Sequence, residues 1–397
     1  MKILHILDLS VPDMCGYASR AYYIVKHQKM IGLEPVVLTS PKHISNRGHE
    51  IIDGINYYRT FPPQSSLISS LPILKDYELV RVVRKRILEV VKKENIDILH
   101  SHSPSLLGLA AIQTKRQTGC KVVYEIRAFW EDAAVASGKY TEYSLKYKNV
   151  RALEKYVCRH SDRVVTIAEG LKKDLVQRGI ASDKVFTIPN GVDHKFFVSS
   201  PRDDKLYTKL GLNNKIVIGY IGTFFDFEGI EDMIHTMDDL GEENSNVVFL
   251  LVGAGEKEKQ LRETIAEKKR SNIIYIGRVP HEEVLNYYSL IDIMVYPRKS
   301  IRVTELTTPL KPLEAMVLGK PVICSSVGGL IELVGHENGL FFSPGNMKEL
   351  KDCCQRLIRD SSLREKIADK ARNRVLMEKQ WEKIVQRYTT VYDFCGK

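Results

Sequence analysis

Seven cysteines in 397 residues, none in a Cys-x-x-Cys pair, give no disulfide framework and point to reduced thiols in a cytosol. No apolar run approaches the roughly 18 to 20 residues needed to cross a bilayer, so a membrane span is not expected. Asp-x-Asp occurs nowhere, and no His or Cys cluster has ligand spacing along the chain, which excludes the usual sequence signatures of a metal site. No Gly-x-Gly-x-x-Gly follows an early strand, so a dinucleotide-linked dehydrogenase is disfavoured. Repeats of solenoid length are also missing.

What remains is an ordinary globular composition, 44% hydrophobic and 27% charged, long enough for roughly two domains. The N-terminus, MKILHILDLSVP, carries one lysine and an apolar run holding His5 and ending at Asp8, which suits a first buried strand better than a signal peptide. The net charge of +10 is uneven. Residues 1–200 hold 30 Lys and Arg against 20 Asp and Glu, and the remainder 29 against 29. Such asymmetry suits a half that faces an anionic surface, a membrane leaflet or nucleic acid. The densest run, LVRVVRKRILEVVKK from Leu79, places Val80, Val83, Ile87, Val90 and Val91 on one helical face and Arg81, Arg84, Lys85, Lys92 and Lys93 mostly off it. A solvated surface helix packed on a sheet gives the same pattern.

Strand and helix patterns alternate in two series, as in doubly wound α/β sheets. KILHIL, EPVVLT, INYYRT, IDILHSH, CKVVYEI and RVVTIA form the first, with helices from Ser19, Leu79, Leu106 and Leu171; IVIGYIG, VVFLLVG, IIYIG, IDIMVYP and PVICSS form the second. VFTIPNGVDHKFFVSSPRDD reads as the boundary, and Phe61 to Pro72 as an exposed loop with Leu67 and Ile68 at its tip. The expected division is 1–195, 196–375 and a helical segment 376–397 packing back toward the first domain, with Trp381 and Tyr388 as anchors.

Chemistry concentrates in Tyr296 to Pro321. Arg298, Arg302, Glu305, Lys311 and Glu314 lie between a buried strand and the helix LKPLEAMVLG, whose Leu313, Met316 and Val317 face inward before Gly319. Cations at a strand end suit an anion, and a carboxylate one turn into a helix can accept from two adjacent sugar hydroxyls. An ordinary loop with solvated charges would contain the same residue types.

The ordered set of motifs resembles the family 4 retaining glycosyltransferases of GT-B fold over essentially the whole chain. Gly16 with GLEPVVLT, ILHSHSP, TIAEGLKKDL, TIPNGVDHKFF, VGAGEKEKQL, YIGRVPHEEVLNYYSLIDIMVYP and LEAMVLGKPVI carry the likeness. RAFWEDAA and YPR…TELTTPLKPLEAM look most like bacterial enzymes that assemble surface or exported polysaccharides, including those associated with exosortase systems. The resemblance implies two Rossmann-like domains facing across a cleft, the C-terminal one binding the donor and the N-terminal one the acceptor. It implies transfer of a hexose or N-acetylhexosamine from a UDP- or GDP-sugar, with retention, to a saccharide or lipid-linked saccharide. No metal or other cofactor is implied.

Residue by residue, the resemblance puts Gly16, Thr223, Arg278, Arg298, Leu310 and Glu314 at the donor, Glu314 on its ribose. It puts His102, Glu305, Arg302 and Lys311 at the reacting centre, and Arg127, Trp130, Glu131 and Asp132 at the acceptor. His100 is expected on the opposite side of its strand from His102. Three departures stand out. Leu306 occupies the place of the family's first motif glutamate, with Glu305 one position away. Pro309 replaces a glycine, leaving the amides of Leu310 and Lys311 as donors to the diphosphate. Thr223 and Glu228 stand where the family commonly has Arg and Lys, so Arg298, Arg302 and Lys311 are expected to offset the diphosphate. A cytoplasmic location is expected from the reduced thiols, with peripheral contact at the inner face of the membrane through the basic N-terminal half; nucleic acid is not expected as a partner. Two other readings share the scaffold: a nucleotide-sugar epimerase, and a non-catalytic protein binding anionic membrane or nucleic acid.

Overall fold

A computed structural model describes residues 1–12, 16–62, 72–198, 201–267 and 272–395. The chain divides into two compact units, Met1–Asn190 with the segment from Trp381 onward, and Gly191–Gln380.

The first unit holds an eight-stranded sheet: β1 (Lys2–Leu7), β2 (Glu34–Thr39), β3 (His49–Ile52), β4 (Ile55–Arg59), β5 (Ile98–His102), β6 (Lys121–Ile126), β7 (Arg163–Thr166) and β8 (Val185–Thr187). The order is β3-β4-β2-β1-β5-β6-β7-β8. All neighbours run parallel except β3 and β4. That pair turns on Asp53-Gly54 with both residues at positive φ, 51° and 69°, the two-residue turn whose twist matches a hairpin. Winding reverses between β1 and β5, and ligands in open α/β sheets bind beyond the strand ends at such a reversal.

The second unit has a six-stranded sheet of β9 (Ile216–Ile221), β10 (Val247–Val252), β11 (Ile273–Gly277), β12 (Ile293–Tyr296), β13 (Val322–Ser325) and β14 (Leu340–Phe342), in the order β11-β10-β9-β12-β13-β14 and parallel throughout. Its reversal lies between β9 and β12. VVFLLV of β10 is buried at every position, as expected of a strand covered on both faces. Close backbone approach brings the loops after β9, β10 and β12 together. A Cβ on Gly253 would lie 1.8 Å from the Gly222 carbonyl oxygen, and one on Gly229 2.0 Å from that of Pro297. Glycine is required at both by space and by positive φ.

Helix Pro72–Glu94 begins seven residues before the expected start. It buries Val80, Val83, Ile87 and Val90 and leaves Arg81, Lys85, Lys92 and Lys93 exposed. Leu67 and Ile68 lie outside the described residues. No described helix is long and apolar enough to cross a membrane.

The last helix, Trp381–Cys395, belongs to the first unit and packs on helix Gly16–Met30. Trp381 is 1% exposed and stacks on Tyr23 with ring centroids 5.8 Å apart; Ile384, Val385, Tyr388, Val391 and Tyr392 complete the buried face. Trp381→Ala should lower stability by about 3–5 kcal/mol, the usual range for emptying a buried aromatic site. Urea unfolding followed by circular dichroism tests this, and a loss below about 1 kcal/mol would mean that the helix docks by other contacts.

Candidate functional site

Three loops and one short helix build the strand-end site of the second unit. Helix Lys311–Val317 starts after Pro309, with Leu310 as its N-cap and Pro312 in its first turn, and buries Leu313, Met316 and Val317; Gly319 closes it at φ 71°. Glu314 is mostly buried. Its Oε2 accepts from the Tyr288 hydroxyl and from Lys311 Nζ, both at 3.0 Å. Burial and the nearby Glu314 charge push the Tyr288 hydroxyl well above its usual range, so it remains a donor. Lys311 keeps about a third of its side chain in solvent, 37%.

Charge is exchanged between the loops after β9 and β12. Arg298 donates to Glu228 in a two-pronged pair, Nε to Oε2 at 3.1 Å and Nη2 to Oε1 at 2.7 Å, with both side chains about 10% exposed. Asp226 accepts from Lys299 and Lys257 at 3.0 Å each, and burial alone would raise its pKa but the two lysines hold it below the usual range. Glu228, which stands where a cation was expected, is thus neutralised from the loop after β12, and Asp226 from that loop and from Lys257 after β10. This corrects one expectation: Arg298 is held by Glu228 rather than left for a diphosphate. Glu305 is corrected too. Its Oε1 accepts from the Ser300 hydroxyl at 2.6 Å and its Oε2 from the Gly328 N–H at 2.7 Å, so it ties its own loop to helix Gly328–Val334. Arg302 opens the short helix Arg302–Leu306, the Thr223 carbonyl accepts from Tyr220, and exposed Arg278 follows β11. Gly16 starts the first helix of the other unit.

At the reversal of the first sheet, β1 and β5 bring His5, His100 and His102 together, all fully buried. The expectation that His100 faces away from His102 is wrong. β5 stays regular through His102, residues two apart share a side, and the two rings stack with centroids 4.4 Å apart. Glu125 of β6 lies beneath them at 3.5 Å from His100 Nε2 and 3.4 Å from His102 Nδ1. It accepts from Arg20 Nε at 3.0 Å and from the Tyr388 hydroxyl, and Arg127 Nε lies 3.4 Å away. Burial alone would raise the Glu125 carboxyl, but Arg20 and the imidazole contacts hold it well below the carboxylate range. Burial is also the main cause that lowers all three histidines, so they are neutral at pH 7.

Sequence spacing showed no ligand cluster, yet the fold places one nitrogen of each histidine within 4.8 Å of the others. Their lone pairs are already engaged. Arg127 Nη2 reaches His102 Nδ1 at 2.8 Å, His102 Nε2 meets His5 Nδ1 at 3.0 Å, and Tyr392 meets His100 Nδ1 at 2.7 Å. A cation here would have to break those bonds beside two guanidinium groups.

The loop after β6 also departs from expectation. Trp130 is 36% exposed with Lys42 Nζ 5.1 Å from its ring centre, a face available for stacking. Glu131 and Asp132 point inward instead: Arg178 Nη1 donates to Glu131 at 2.6 Å, Tyr147 donates to Asp132 at 2.8 Å, and Arg178 also pairs with Asp174. Neither acid faces an acceptor. Sequence reasoning took His5 only as part of a strand and Tyr388 only as a packing anchor, and passed over Arg20, Gln28, Glu125, Arg178 and Tyr392. A charged residue inside an apolar strand, as in KVVYEI, was the available signal.

Residues 16–196 match the Glycosyltransferase Family 4 domain and residues 203–374 the Glycosyl transferases group 1 domain. The chain carries both and is a glycosyltransferase of GT-B type. It is 25% identical over 338 residues to the capsular polysaccharide biosynthesis glycosyltransferase CapM of Staphylococcus aureus, covering 81% of this chain and 84% of that one. Among solved structures, sucrose-phosphate synthase of Thermosynechococcus elongatus superposes with TM-score 0.79 at 19% identity over 99% of this chain and 98% of its own. Anabaena HepE in complex with UDP gives 0.77 at 18% identity over 99% and 100%. These likenesses establish the fold.

Beneath Glu131, on helix Leu145–His160, lies fully buried Glu154. Burial first and the Glu131 charge second push its carboxyl from 4.5 up to about 8, with Tyr124 and Arg178 offsetting only part. The folded state therefore holds a proton that the unfolded chain releases. That stabilisation is complete below about pH 4.5 and is lost as pH rises through about 8, by up to roughly 1.4 kcal/mol per pH unit. Glu154→Gln keeps the shape of the side chain and cannot ionise, so its melting temperature relative to the wild type should rise by a margin widening from pH 5 to pH 8. A margin independent of pH would show that Glu154 does not titrate in this range.

Proposed function

We propose that this chain transfers a hexose or N-acetylhexosamine from a UDP- or GDP-sugar, with retention and without a metal, to a saccharide acceptor carried on a lipid. The observation that carries this reading is Glu314, a carboxylate positioned by Tyr288 and Lys311 at the winding reversal of the sheet in the glycosyl transferases group 1 domain. It is built to accept from the ribose hydroxyls of a nucleotide. Relatives support the substrate class: HepE has been solved with UDP and with UDP-glucose, and CapM is named for capsular polysaccharide biosynthesis. Assembly of an exported polysaccharide, as in exosortase systems, fits that company.

In this reading the bond from C1 of the sugar to the diphosphate breaks while C1 bonds to an acceptor oxygen on the same face. The acceptor's proton passes to a leaving phosphate oxygen, so no protein nucleophile is needed. Lys311 and Arg302 offset the charge on the leaving group, since Arg298 is paired with Glu228. Trp130 offers its exposed ring to the acceptor. The first unit docks on anionic lipid through Arg81, Arg84 and Lys85 at the cytoplasmic face, each basic group near such a surface adding about 1 kcal/mol.

Titration with a panel of UDP- and GDP-sugars tests the donor class. Glu314→Gln weakens charge-assisted hydrogen bonds worth about 1.5–3 kcal/mol and should reduce donor affinity at least several-fold; unchanged affinity would leave Glu314 as a helix residue only. Co-sedimentation with phosphatidylserine vesicles tests the docking. A folded Arg81/Arg84/Lys85 triple-glutamate variant that binds as well as the wild type would rule the patch out.

A further inference from the structure

The buried polar bonds around the three histidines run in one direction. Arg127 can only donate, so His102 Nδ1 accepts and its hydrogen is on Nε2. That hydrogen goes to His5 Nδ1 at 3.0 Å, and the hydrogen of His5 on Nε2 goes to Gln28 Oε1 at 2.7 Å. Gln28 Nε2 donates to the Tyr392 hydroxyl at 2.8 Å. The Tyr392 hydroxyl, having accepted from Gln28, donates onward to His100 Nδ1 at 2.7 Å, which leaves the hydrogen of His100 on Nε2, 3.5 Å from Glu125 Oε2. One direction of donation thus runs from Arg127 through every ring.

Two arginines share this cluster, and they differ in what they have left to give. Arg20 makes five hydrogen bonds, to Glu125, Pro189, Asn190, Ile188 and Tyr388, matching its five N–H donors. Its charge is balanced by Glu125. Arg127 donates through Nε to Glu125, through Nη1 to the Tyr17 carbonyl and through Nη2 to His102, three of five donors. Its Cζ lies over the Tyr17 ring, 4.2 Å from the ring centre, and 9% of its side chain reaches solvent. Asp8, the other acid near the end of β1 among the described residues, is paired with Lys42 at 2.9 Å. With the histidines neutral, one positive charge and two N–H groups are unmatched among the described residues, all on Arg127, just beyond the end of β6.

We propose that Arg127 is the anion-recognising residue of the first unit, taking a phosphate group of the substrate, and that His102, His5 and Gln28 are positioning residues that hold its guanidinium. The inference rests on the transferase reading only for the source of that phosphate, the linker of a lipid-carried acceptor or the diphosphate of the donor. A bidentate guanidinium held in place suits a phosphate better than a neutral sugar hydroxyl.

Calorimetric titration of the full chain with inorganic pyrophosphate, and separately with UDP, is the test. Arg127→Gln should weaken pyrophosphate at least tenfold, and Arg127→Lys by less. If UDP affinity is unchanged in Arg127→Gln, the phosphate is the acceptor's; if it falls in parallel, it is the donor's. No pyrophosphate binding by the wild type, or equal binding by Arg127→Gln, would overturn the assignment. The positioning role has its own signature. Nitrogen-15 spectra of the histidine-labelled protein should show His102 as a single Nε2–H tautomer that becomes mixed in Gln28→Met, with pyrophosphate weakened several-fold. A protonated or Nδ1–H His102 in the wild type, or an unchanged tautomer and affinity in Gln28→Met, would remove it. Neither readout requires sugar transfer. Pyrophosphate binding through Arg127 without any transfer to an acceptor would sink the transferase reading and leave this one standing.

Discussion

Glu125 is a carboxylate with no contact with water, and the polar interior of the first unit follows from that. An unpaired buried carboxylate would cost several kcal/mol or take up a proton, so a cation has to be supplied from within. Arg20 supplies it from helix Gly16–Met30. The demands of Arg20 in turn reach the carbonyls after β8 and the hydroxyl of Tyr388 on the last helix. One buried charge thus links β6, the first helix, the end of β8 and a helix some 260 residues later in the chain. Apolar packing of Trp381 and its neighbours provides most of the attraction for that last helix, but it is non-directional. Hydrogen bonds from Tyr388 and Tyr392 select one register for it.

A different solution governs the second unit. There Glu228, after β9, stands where the resemblance leads one to expect a cation, and Arg298 after β12 supplies the opposite charge, as Lys299 does for Asp226. That pairing explains why simply restoring a family lysine at 228 is unsound: it would leave Arg298 buried beside a like charge, and orphaning one member of a buried pair costs about 3–5 kcal/mol. A change at 228 has to be matched at 298.

Much of the architecture was legible in the sequence because parallel strands are short apolar runs and their helices have a 3.6-residue period. The eleven strands so read are present. β3, β8 and β14 were passed over, being three or four residues long; for β3 the Asp-Gly of IIDGINYY was a usable hairpin signal. The loops that hold Glu314 and Lys311 were legible as a concentration of charge at a strand end. Their pairings were not. Glu228 and Arg298 lie 70 residues apart, and Glu131 and Arg178 lie 47 apart, separations that no local pattern encodes. RAFWED was therefore expected to present its acids to an acceptor, although both are used inside the unit. The error at His100 was of another kind, since plain two-residue alternation already placed it beside His102.

The arrangement of Lys311 and Glu314 bears on how a donor would be held. Both bonds to Glu314 fall on Oε2, one from a hydroxyl fixed by burial and one from an ammonium group with a third of its side chain in water. Tyr288 sets the direction of the carboxylate, whereas Lys311 can swing away at little energetic cost, since a partly exposed ion pair is worth about 1 kcal/mol or less. On the proposed reading, a diphosphate competes with Glu314 for Lys311. Its arrival draws the ammonium away and frees a carboxylate oxygen, already oriented by Tyr288, to accept from ribose. The phosphate and ribose halves of a nucleotide would then assist each other's binding through one i,i+3 pair, and the second unit would favour the intact nucleotide over either fragment.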